Sequence, residues 1–294
     1  MCPVGVGEFE SRFREGSLHC AAMSGPVLEA QLRIAADLSE AEVASLSCGE
    51  VAWFTARRPG REGPNEDSLA VLPVAEDAVV LVVADGAGGL RGGADASALA
   101  VRSLQRALDE ARGEGWMLRT AILNGIEQAN QALVDLGVGA ATTLAAVEVQ
   151  AGRARPYHVG DSPILWFGGR SKLKLETVSH SPVGFAVEAG LLEASDAMHH
   201  EDRHLVSNLL GAPDMRIEVG SSRPLAVRDT LLLASDGLSD NLLVEEIAQV
   251  ARQPDLRNAC DELASIARRR MFSPEEGEPS KPDDLALLLF RPRR

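Results

Sequence analysis

Two stretches of the sequence, AVVLVVADG (78–86) and TLLLASDG (230–237), decide the fold. Each begins with a run of apolar residues and ends with an aspartate that is followed directly by glycine. A third stretch, DDLALLLF (283–290), has the same composition in reverse order, with two aspartates ahead of the apolar run. Short apolar runs bounded by turn residues are typical of strands covered on both faces, so we predict a buried strand in each stretch.

The sequence around these strands predicts a layered α+β domain. Further strands are predicted at 51–55, 68–72, 141–149, 154–160 and 163–167, and helices at 93–111, 117–136, 243–251 and 255–270. Consecutive strands without intervening helices favour antiparallel pairing. Because the helices come in blocks and do not follow every strand, a doubly wound parallel sheet is disfavoured.

The first 48 residues lack the strand-like apolar runs that begin near residue 50. We interpret them as an N-terminal appendage to a main domain at 49–294. Residues 1–22 lack clear periodicity, so we expect them to be disordered. Residues 27–46 are predicted to be helical, because Leu28, Leu32 and Ala35 recur at helical spacing. Ser39 and Glu42 resemble a capping box that opens a second short helix.

Composition excludes several classes of function. The 29 Lys and Arg against 43 Asp and Glu give a net charge of −14, which disfavours binding to nucleic acid or to anionic membranes. The four cysteines form no CxxC pair, which argues against a cysteine zinc site or a disulfide framework. No apolar run reaches membrane-spanning length, and charged residues interrupt residues 1–22 where a signal peptide needs an apolar segment. We therefore predict a cytoplasmic protein.

Carboxylates cluster at the ends of the predicted strands. Asp85 and Asp236 follow apolar runs, Asp283 and Asp284 precede one, and Glu66 and Asp67 precede the strand at 68–72. A buried carboxylate is costly to ionise alone, and converging carboxylates repel one another unless cations neutralise them. Oxygen ligands suit Mg²⁺ or Mn²⁺, and a pair of such ions activates water against a phosphate ester.

Six motifs in chain order resemble one family. They are PNEDSLAV (64–71), VVADGAGG (82–89), GAATTLAAV (139–147), HVGDSPILWF (158–167), LLLASDGLSD (231–240) and DDLALLLF (283–290). The series resembles the metal-dependent serine/threonine protein phosphatases, the PPM or type-2C family, in its bacterial form, over roughly residues 50–291. The resemblance implies a four-layer αββα sandwich with two central, mainly antiparallel sheets, in which residues 49–294 form the phosphatase catalytic domain.

The resemblance also implies a site with two Mg²⁺ or Mn²⁺ ions. Asp85 would bridge both ions, the Gly86 carbonyl and Glu66 would bind one, and Asp236 and Asp283 would bind the other. Asp161 would hold a weaker third metal, shared with Asp236.

The implied reaction is direct hydrolysis of phosphoserine or phosphothreonine in phosphoprotein substrates, by a water between the metals that Asp67 orients. Ala87 stands where many eukaryotic members have a histidine suggested as general acid. The family's phosphate-binding arginine would fall at position 62, which is Glu62 here. Arg61, one residue earlier, is the candidate for this role, and Arg58 and Arg57 are the substitutes.

Two other functions remain open from the sequence. His200-Glu201-Asp202-Arg203-His204 matches the zinc-peptidase pattern H-E-x-x-H, which on a helix places two imidazoles one turn apart. The charged middle residues argue against a buried catalytic helix of that kind. The second alternative is a phosphatase-fold binding module without turnover, which the displaced Arg61 would favour. The oligomeric state is not predicted.

Overall fold

A computed structural model describes residues 29–87, 92–112 and 117–293. The expected disorder of residues 1–22 lies outside the described residues. The thirteen strands in the described part of the chain are β1 Gln31–Ile34, β2 Glu42–Leu46, β3 Gly49–Ala56, β4 Asp67–Ala75, β5 Ala78–Asp85, β6 Leu144–Gln150, β7 Arg153–Val159, β8 Ile164–Phe167, β9 Leu173–Glu176, β10 Glu218–Val219, β11 Arg223–Pro224, β12 Thr230–Ala234 and β13 Leu285–Pro292.

The strands form two antiparallel sheets. The first sheet has the order β1-β4-β5-β6-β7-β10, with β11 also paired to β7. The second has the order β2-β3-β13-β12-β8-β9. The three strands that the opening motifs predicted are β5, β12 and β13, each with neighbours on both sides, as their continuous apolar runs require.

Helices cover the outer face of each sheet. The α-helices are α1 Gly93–Arg112, α2 Leu118–Leu136, α3 Pro182–Glu188, α4 Ala194–Ala197, α5 Asp236–Ser239, α6 Val244–Ala251 and α7 Leu256–Phe272. Helix α1 packs on β4 and β5, and α7 packs on β3 and β13. The predicted four-layer αββα sandwich is therefore confirmed. None of the helices in the described ranges is long and apolar enough to cross a membrane.

Three apolar clusters hold the layers together. One lies between the two sheets and includes Trp53, Leu81 and Leu288. The other two lie between a sheet and its helices, with Leu104 and Ile122 on one side and Leu263 on the other. These side chains are mostly aliphatic, and full burial of each contributes about 1.5–3 kcal/mol. This packing holds the two sheets face to face. Strand ends of both sheets therefore meet at one end of the sandwich.

The prediction of helices at 27–46 is wrong for the described part of this range, which begins at residue 29. Residues 31–34 form β1, which pairs with β4 of the first sheet, and residues 42–46 form β2, which pairs with β3 of the second. The spacing of Leu32 and Ala35 does not continue into a helix, because Ala35 has a positive φ of 48°. Glu42 does not close a capping box; its Oε2 instead accepts a hydrogen bond from Nε1 of Trp53 at 2.8 Å.

Candidate metal centre

Asp67 and Asp85 are directly opposite one another in the antiparallel pair of β4 and β5. Asp67 is the first residue of β4 and Asp85 is the last of β5. Both carboxylates therefore lie at the same end of these two neighbouring strands. Asp67 is 1% exposed. Burial raises the pKa of both groups well above the usual value, and the neighbouring carboxylates raise it further.

The second sheet contributes Asp236 and Asp283 at the same end of the sandwich. Asp236 follows β12 and begins α5, and Asp283 lies two residues before β13. Ser235 joins the two sheets here, because its Oγ donates to Oδ2 of Asp67 at 2.6 Å and accepts from the backbone N of Ala286. The electrostatic influence of Asp236 and Asp283 on both Asp67 and Asp85 agrees with this convergence.

Glu66 and Gly86 lie beside this pair. The backbone N of Gly86 donates to the carbonyl of Glu66 at 3.1 Å. A Cβ at Gly86 would lie 2.2 Å from the carbonyl oxygen of Gly93, so only glycine fits at this crossing. Gly237 is under the same constraint, since its Cβ would lie 2.0 Å from the carbonyl oxygen of Asp284.

Arg61 lies at the rim of the carboxylate cluster. Its guanidinium is 2.8 Å from Oε2 of Glu66 and 3.5 Å from Oδ2 of Asp284. The hydrogen bond to Glu66 raises the pKa of Arg61. Arg57 instead bonds the carbonyl of Gly63 and lies 3.7 Å from Asp37. Of the predicted arginines, Arg61 is therefore the one whose side chain contacts a carboxylate of the site.

Asp284 holds the loop that carries Arg61. Its Oδ1 accepts a hydrogen bond from the backbone N of Arg58 at 2.6 Å, and its Oδ2 accepts one from the backbone N of Glu66 at 2.7 Å. Two backbone donors therefore use both oxygens of this buried carboxylate. Asp284 anchors the segment between β3 and β4 to the start of β13.

Lys281 and Asp240 belong to the cluster and were not predicted. The Lys281 ammonium is 2.5 Å from Asp236 Oδ2, 2.6 Å from Asp240 Oδ2 and 3.4 Å from Asp283 Oδ2. Burial opposes its charge, but Asp236 and Asp240 outweigh burial and raise its pKa. The signal for Asp240 was its position four residues after Asp236, which places both on one helical face. Nothing in the local sequence indicated Lys281.

Asp161 faces the same group of charges. Burial, followed by Asp236 and Asp240, raises its pKa to about 7, while Lys281 acts in the opposite direction. The backbone N of the preceding Gly160 donates to Nδ1 of His180 at 3.0 Å. His180 therefore positions the turn that carries Asp161, a role that no sequence motif indicated.

The donor set fits divalent cations. Asp67 Oδ1 is buried and has no hydrogen-bond partner among the described residues, which is unusual for a carboxylate oxygen. The pKa values of Asp240 and Asp283 are raised to about 6, by burial first and then by Asp236. Lys281 supplies one positive charge to a cluster of at least five carboxylates. Additional cations with oxygen preference, such as Mg²⁺ or Mn²⁺, would relieve this repulsion.

The zinc-peptidase pattern does not form the geometry that its chemistry needs. Glu201–His204 is a short 3₁₀ helix. His200 Nδ1 accepts from the backbone N of Asp202, and His204 Nδ1 donates to the carbonyl of Glu201. The two imidazoles are thus engaged with their own turn, and the peptidase interpretation has no support.

A different histidine group, formed by His158, His180 and Glu218, brings three metal-ligand atoms within 4.8 Å. Among the described residues, it is the one group in which three His, Cys, Asp or Glu side chains bring their ligand atoms this close together. Nδ1 of His180 accepts from Gly160 N and lies 2.9 Å from Nδ2 of Asn208, so its proton is on Nε2. Nε2 then donates to Glu218 at 3.2 Å. Nε2 of His158 donates to the carbonyl of Val178 at 3.1 Å. The group is therefore a hydrogen-bond network that holds a loop, and the three nitrogens used in it are not open to a metal.

Comparison with known proteins places the chain in a class of phosphatases. Residues 57–273 match the family model described as "Protein phosphatase 2C". The chain is 30% identical over 203 residues to "Serine/threonine phosphatase stp" of Listeria monocytogenes, covering 64% of this chain and 77% of that protein. It is also similar to the crystal structure of the PPM Ser-Thr phosphatase MsPP from Mycobacterium smegmatis in complex with cacodylate. That match has a TM-score of 0.67 and 27% identity, and it covers 87% of this chain and 99% of that one.

A second solved structure, the serine/threonine phosphatase of S. agalactiae, matches with a TM-score of 0.70 and 26% identity over 83% of this chain and 99% of that one. The shared fold and the carboxylates at its strand ends define a metal-dependent protein phosphatase. The chain belongs to the protein phosphatase 2C family.

Proposed function

We propose that this chain removes phosphate from phosphoserine and phosphothreonine in proteins, using two Mg²⁺ or Mn²⁺ ions. The observation that supports this most is the convergence of Asp67, Asp85, Asp236 and Asp283 from the strand ends of two sheets. Such a cluster is unfavourable without cations, and it lies where the family's motifs predict the metal ligands. When bound, the ions lower the pKa of a water molecule and neutralise charge on the phosphate.

Each candidate ligand has a proposed place. Asp85 would bridge the ions, and Glu66 with the Gly86 carbonyl would complete one coordination sphere. Asp236 and Asp283 would complete the other. Asp161 would bind a weaker third ion together with Asp236. Since Lys281 lies 2.5 Å from Asp236 Oδ2, that third ion would share Asp236 with the ammonium.

Asp67 would orient the attacking water. Its Oδ2 is held by Ser235 at 2.6 Å, while Oδ1 is free of hydrogen bonds from described residues. A fixed carboxylate with one available acceptor can hold a water by one of its protons and so aim a lone pair at phosphorus.

Arg61 would bind the substrate's phosphate. A guanidinium presents five donors in a planar fork that matches phosphate oxygens. The Glu66 and Asp284 contacts hold this fork at the rim of the cluster. Ala87 has no ionisable side chain, so the proton for the leaving alkoxide would come from water.

The proposal is tested by hydrolysis of a phosphothreonine peptide and of p-nitrophenyl phosphate. The reaction is run with Mn²⁺, Mg²⁺ or Zn²⁺, or with EDTA. We expect turnover with Mn²⁺ or Mg²⁺, none in EDTA, and loss of turnover in Asp236→Asn. His200→Ala and His204→Ala are matched controls that should keep turnover. Hydrolysis that persists in EDTA, or that survives Asp236→Asn at saturating metal, would contradict the dinuclear assignment.

A further inference from the structure

A cavity of about 280 Å³ lies at the end of the second sheet that is remote from the carboxylates. It is lined by the C-terminal residue of β8, the tip of the β8–β9 hairpin, the first residue of β12 and the C-terminal part of β13. Strand β12 begins at the cavity with Thr230 and leads to Asp236 at the metal centre. At about 3.3 Å per residue, these two residues are about 20 Å apart. The cavity is therefore separate from the candidate catalytic site.

Four arginines line this cavity, namely Arg170, Arg228, Arg252 and Arg291. None of the four forms an ion pair with a carboxylate within the described ranges, although the chain carries a net charge of −14. The described lining contains no Asp or Glu. Arg170, Arg228 and Arg252 are exposed and Arg291 is partly buried. In an acidic protein, four arginines that line one surface cavity and form no ion pair with a described carboxylate give a local concentration of positive potential.

Arg291 is held in place by neutral groups only. Its Nε donates to Thr230 Oγ1 at 3.0 Å, and its terminal nitrogens donate to the carbonyls of Pro254 and Ala251. These three bonds leave two of the five guanidinium N–H groups available. Burial lowers the pKa of Arg291, which Glu50 and Asp255 oppose from a distance. An anion in the cavity would stabilise this partly buried charge.

Asp229, which lies next to Arg228 in the sequence, does not neutralise the cavity. Its oxygens bind the Lys174 ammonium at 2.6 and 2.7 Å and accept hydrogen bonds from Trp166 Nε1 and Ala226 N. Asp229 is 1% exposed, and none of these partners lines the cavity. The nearest carboxylate in the sequence is thus already engaged.

The hairpin tip supplies one more polar group. Ser171 Oγ is buried and has no hydrogen-bond partner among the described residues. Arg170 and Ser171 both have positive φ, 64° and 59°, as in the type I′ turn that β-hairpins favour. An anionic oxygen would accept a hydrogen bond from this hydroxyl.

We propose that this arginine cavity binds a small polyanion that carries phosphate or clustered carboxylate groups. Planar guanidinium forks recognise both kinds of oxyanion. Its volume is close to the lower limit of small-molecule sites, about 300 Å³, so the cavity suits a small metabolite. The site is independent of the phosphatase reaction and would exist in the metal-free protein.

The test is calorimetric titration of protein that has been stripped of metal and then dialysed free of EDTA, because EDTA is itself a polycarboxylate and would compete for the cavity. Pyrophosphate is titrated in one arm and citrate in the other, at fixed ionic strength. We expect at least one of the two probes to bind at a single site. Binding of pyrophosphate identifies phosphate as the ligand group, and binding of citrate identifies carboxylate. Arg228→Ala and Arg252→Ala should each weaken binding at least about tenfold, as expected for a lost charge-assisted hydrogen bond. Arg228 and Arg252 are both exposed, so neither substitution is expected to disturb the fold.

Two control variants locate the binding. Arg106→Ala removes an exposed arginine of α1 remote from the cavity and should leave affinity unchanged. Arg61→Ala removes the arginine of the metal centre and should also leave it unchanged. Absence of binding for both probes would overturn the proposal. So would an equal loss in Arg106→Ala, which indicates general charge attraction, or a selective loss in Arg61→Ala, which locates the anion at the metal centre.

Discussion

The Lys281 ammonium lies between Asp236 and Asp240, 2.5 and 2.6 Å from one oxygen of each. The backbone N of Lys281 donates to Asn241 Oδ1 at 3.0 Å, so the residue is tied to the end of the turn that carries both aspartates. The protein thus carries its own cation inside the cluster that is expected to bind metal ions. Lys281 compensates part of the repulsion before any ion arrives.

Lys281→Met is expected to destabilise the metal-free protein. The substitution leaves Asp236 and Asp240 without their ammonium. Removing one partner of a fully buried ion pair costs about 3 kcal/mol, and the loss is smaller here because these side chains are only partly buried. Urea unfolding in EDTA measures the loss. Added Mg²⁺ should restore more stability to the variant than to the original chain, and calorimetry should show a higher metal affinity.

The matched control is Lys172→Met, which removes an exposed lysine on the β8–β9 hairpin that forms no ion pair with a described carboxylate. Equal metal affinity in Lys281→Met and the original chain would show that the ammonium does not compete for the site.

Asp85→Asn is expected to abolish phosphatase turnover and to stabilise the metal-free protein. Turnover is lost because Asp85 is the proposed bridge between the ions. Stability rises because burial and the neighbouring carboxylates raise the pKa of Asp85, so its ionised form is unfavourable in the fold. Activity assays with saturating Mn²⁺ and thermal unfolding in EDTA measure the two effects. A loss of stability in EDTA would show that Asp85 is satisfied by contacts other than a metal.

Arg61→Ala is expected to raise KM for small phosphate esters more than it lowers kcat. The guanidinium would hold the non-bridging oxygens in the ground state and the transition state alike. One lost charge-assisted hydrogen bond, about 1.5–3 kcal/mol, corresponds to about tenfold to hundredfold in kcat/KM. Arg57→Ala is the control, because Arg57 lies near Asp37 and bonds the Gly63 carbonyl. If KM and kcat are unchanged in Arg61→Ala, the metals alone hold the phosphate.

Lowering the pH from 8.5 to 6.5 is expected to stabilise the metal-free protein. The pKa of Asp161 is raised to about 7, and those of Asp67 and Asp85 are also raised, so in this range the folded state binds more protons than the unfolded state. Stability therefore rises as pH falls. Below this range His158 acts in the opposite direction, since burial lowers its pKa.

Thermal unfolding in EDTA at several pH values measures this effect, and Asp161→Asn should flatten the dependence. In Mg²⁺ the trend should reverse, because metal binding requires deprotonated carboxylates. A melting temperature in EDTA that falls between pH 8.5 and 6.5 would contradict the raised pKa values.

The strand ends could be predicted because a few consecutive residues are enough to indicate each one. Asp85 and Asp236 each end a continuous apolar run. A short apolar run that stops at Asp-Gly is typical of a buried strand followed by a turn. The motifs around them then placed Asp67 and Asp283 in the same site. The structure brings these four residues together, while the metal-ligand roles of Asp85, Asp236 and Asp283 and the water-orienting role of Asp67 remain predictions.

The remaining features depend on contacts between distant segments. β1 and β2 are four and five residues long, and they form only because β4 and β3 offer them hydrogen-bonding edges. Lys281 enters the cluster through the turn that Asn241 holds, and His180 reaches Gly160 from 20 residues away. No periodicity or motif carries information of this kind, because the partners are defined only after the sheets have packed.

The two short N-terminal strands also determine where the folding unit can be cut. β1 covers the edge of β4 in one sheet, and β2 covers the edge of β3 in the other. A shortened chain that begins at residue 49, the boundary that composition suggests, would leave one long unpaired strand at an edge of each sheet. Free edges with exposed N–H and C=O groups recruit strands from other molecules. Such a chain would therefore be prone to self-association through its sheets, even with every candidate metal ligand present.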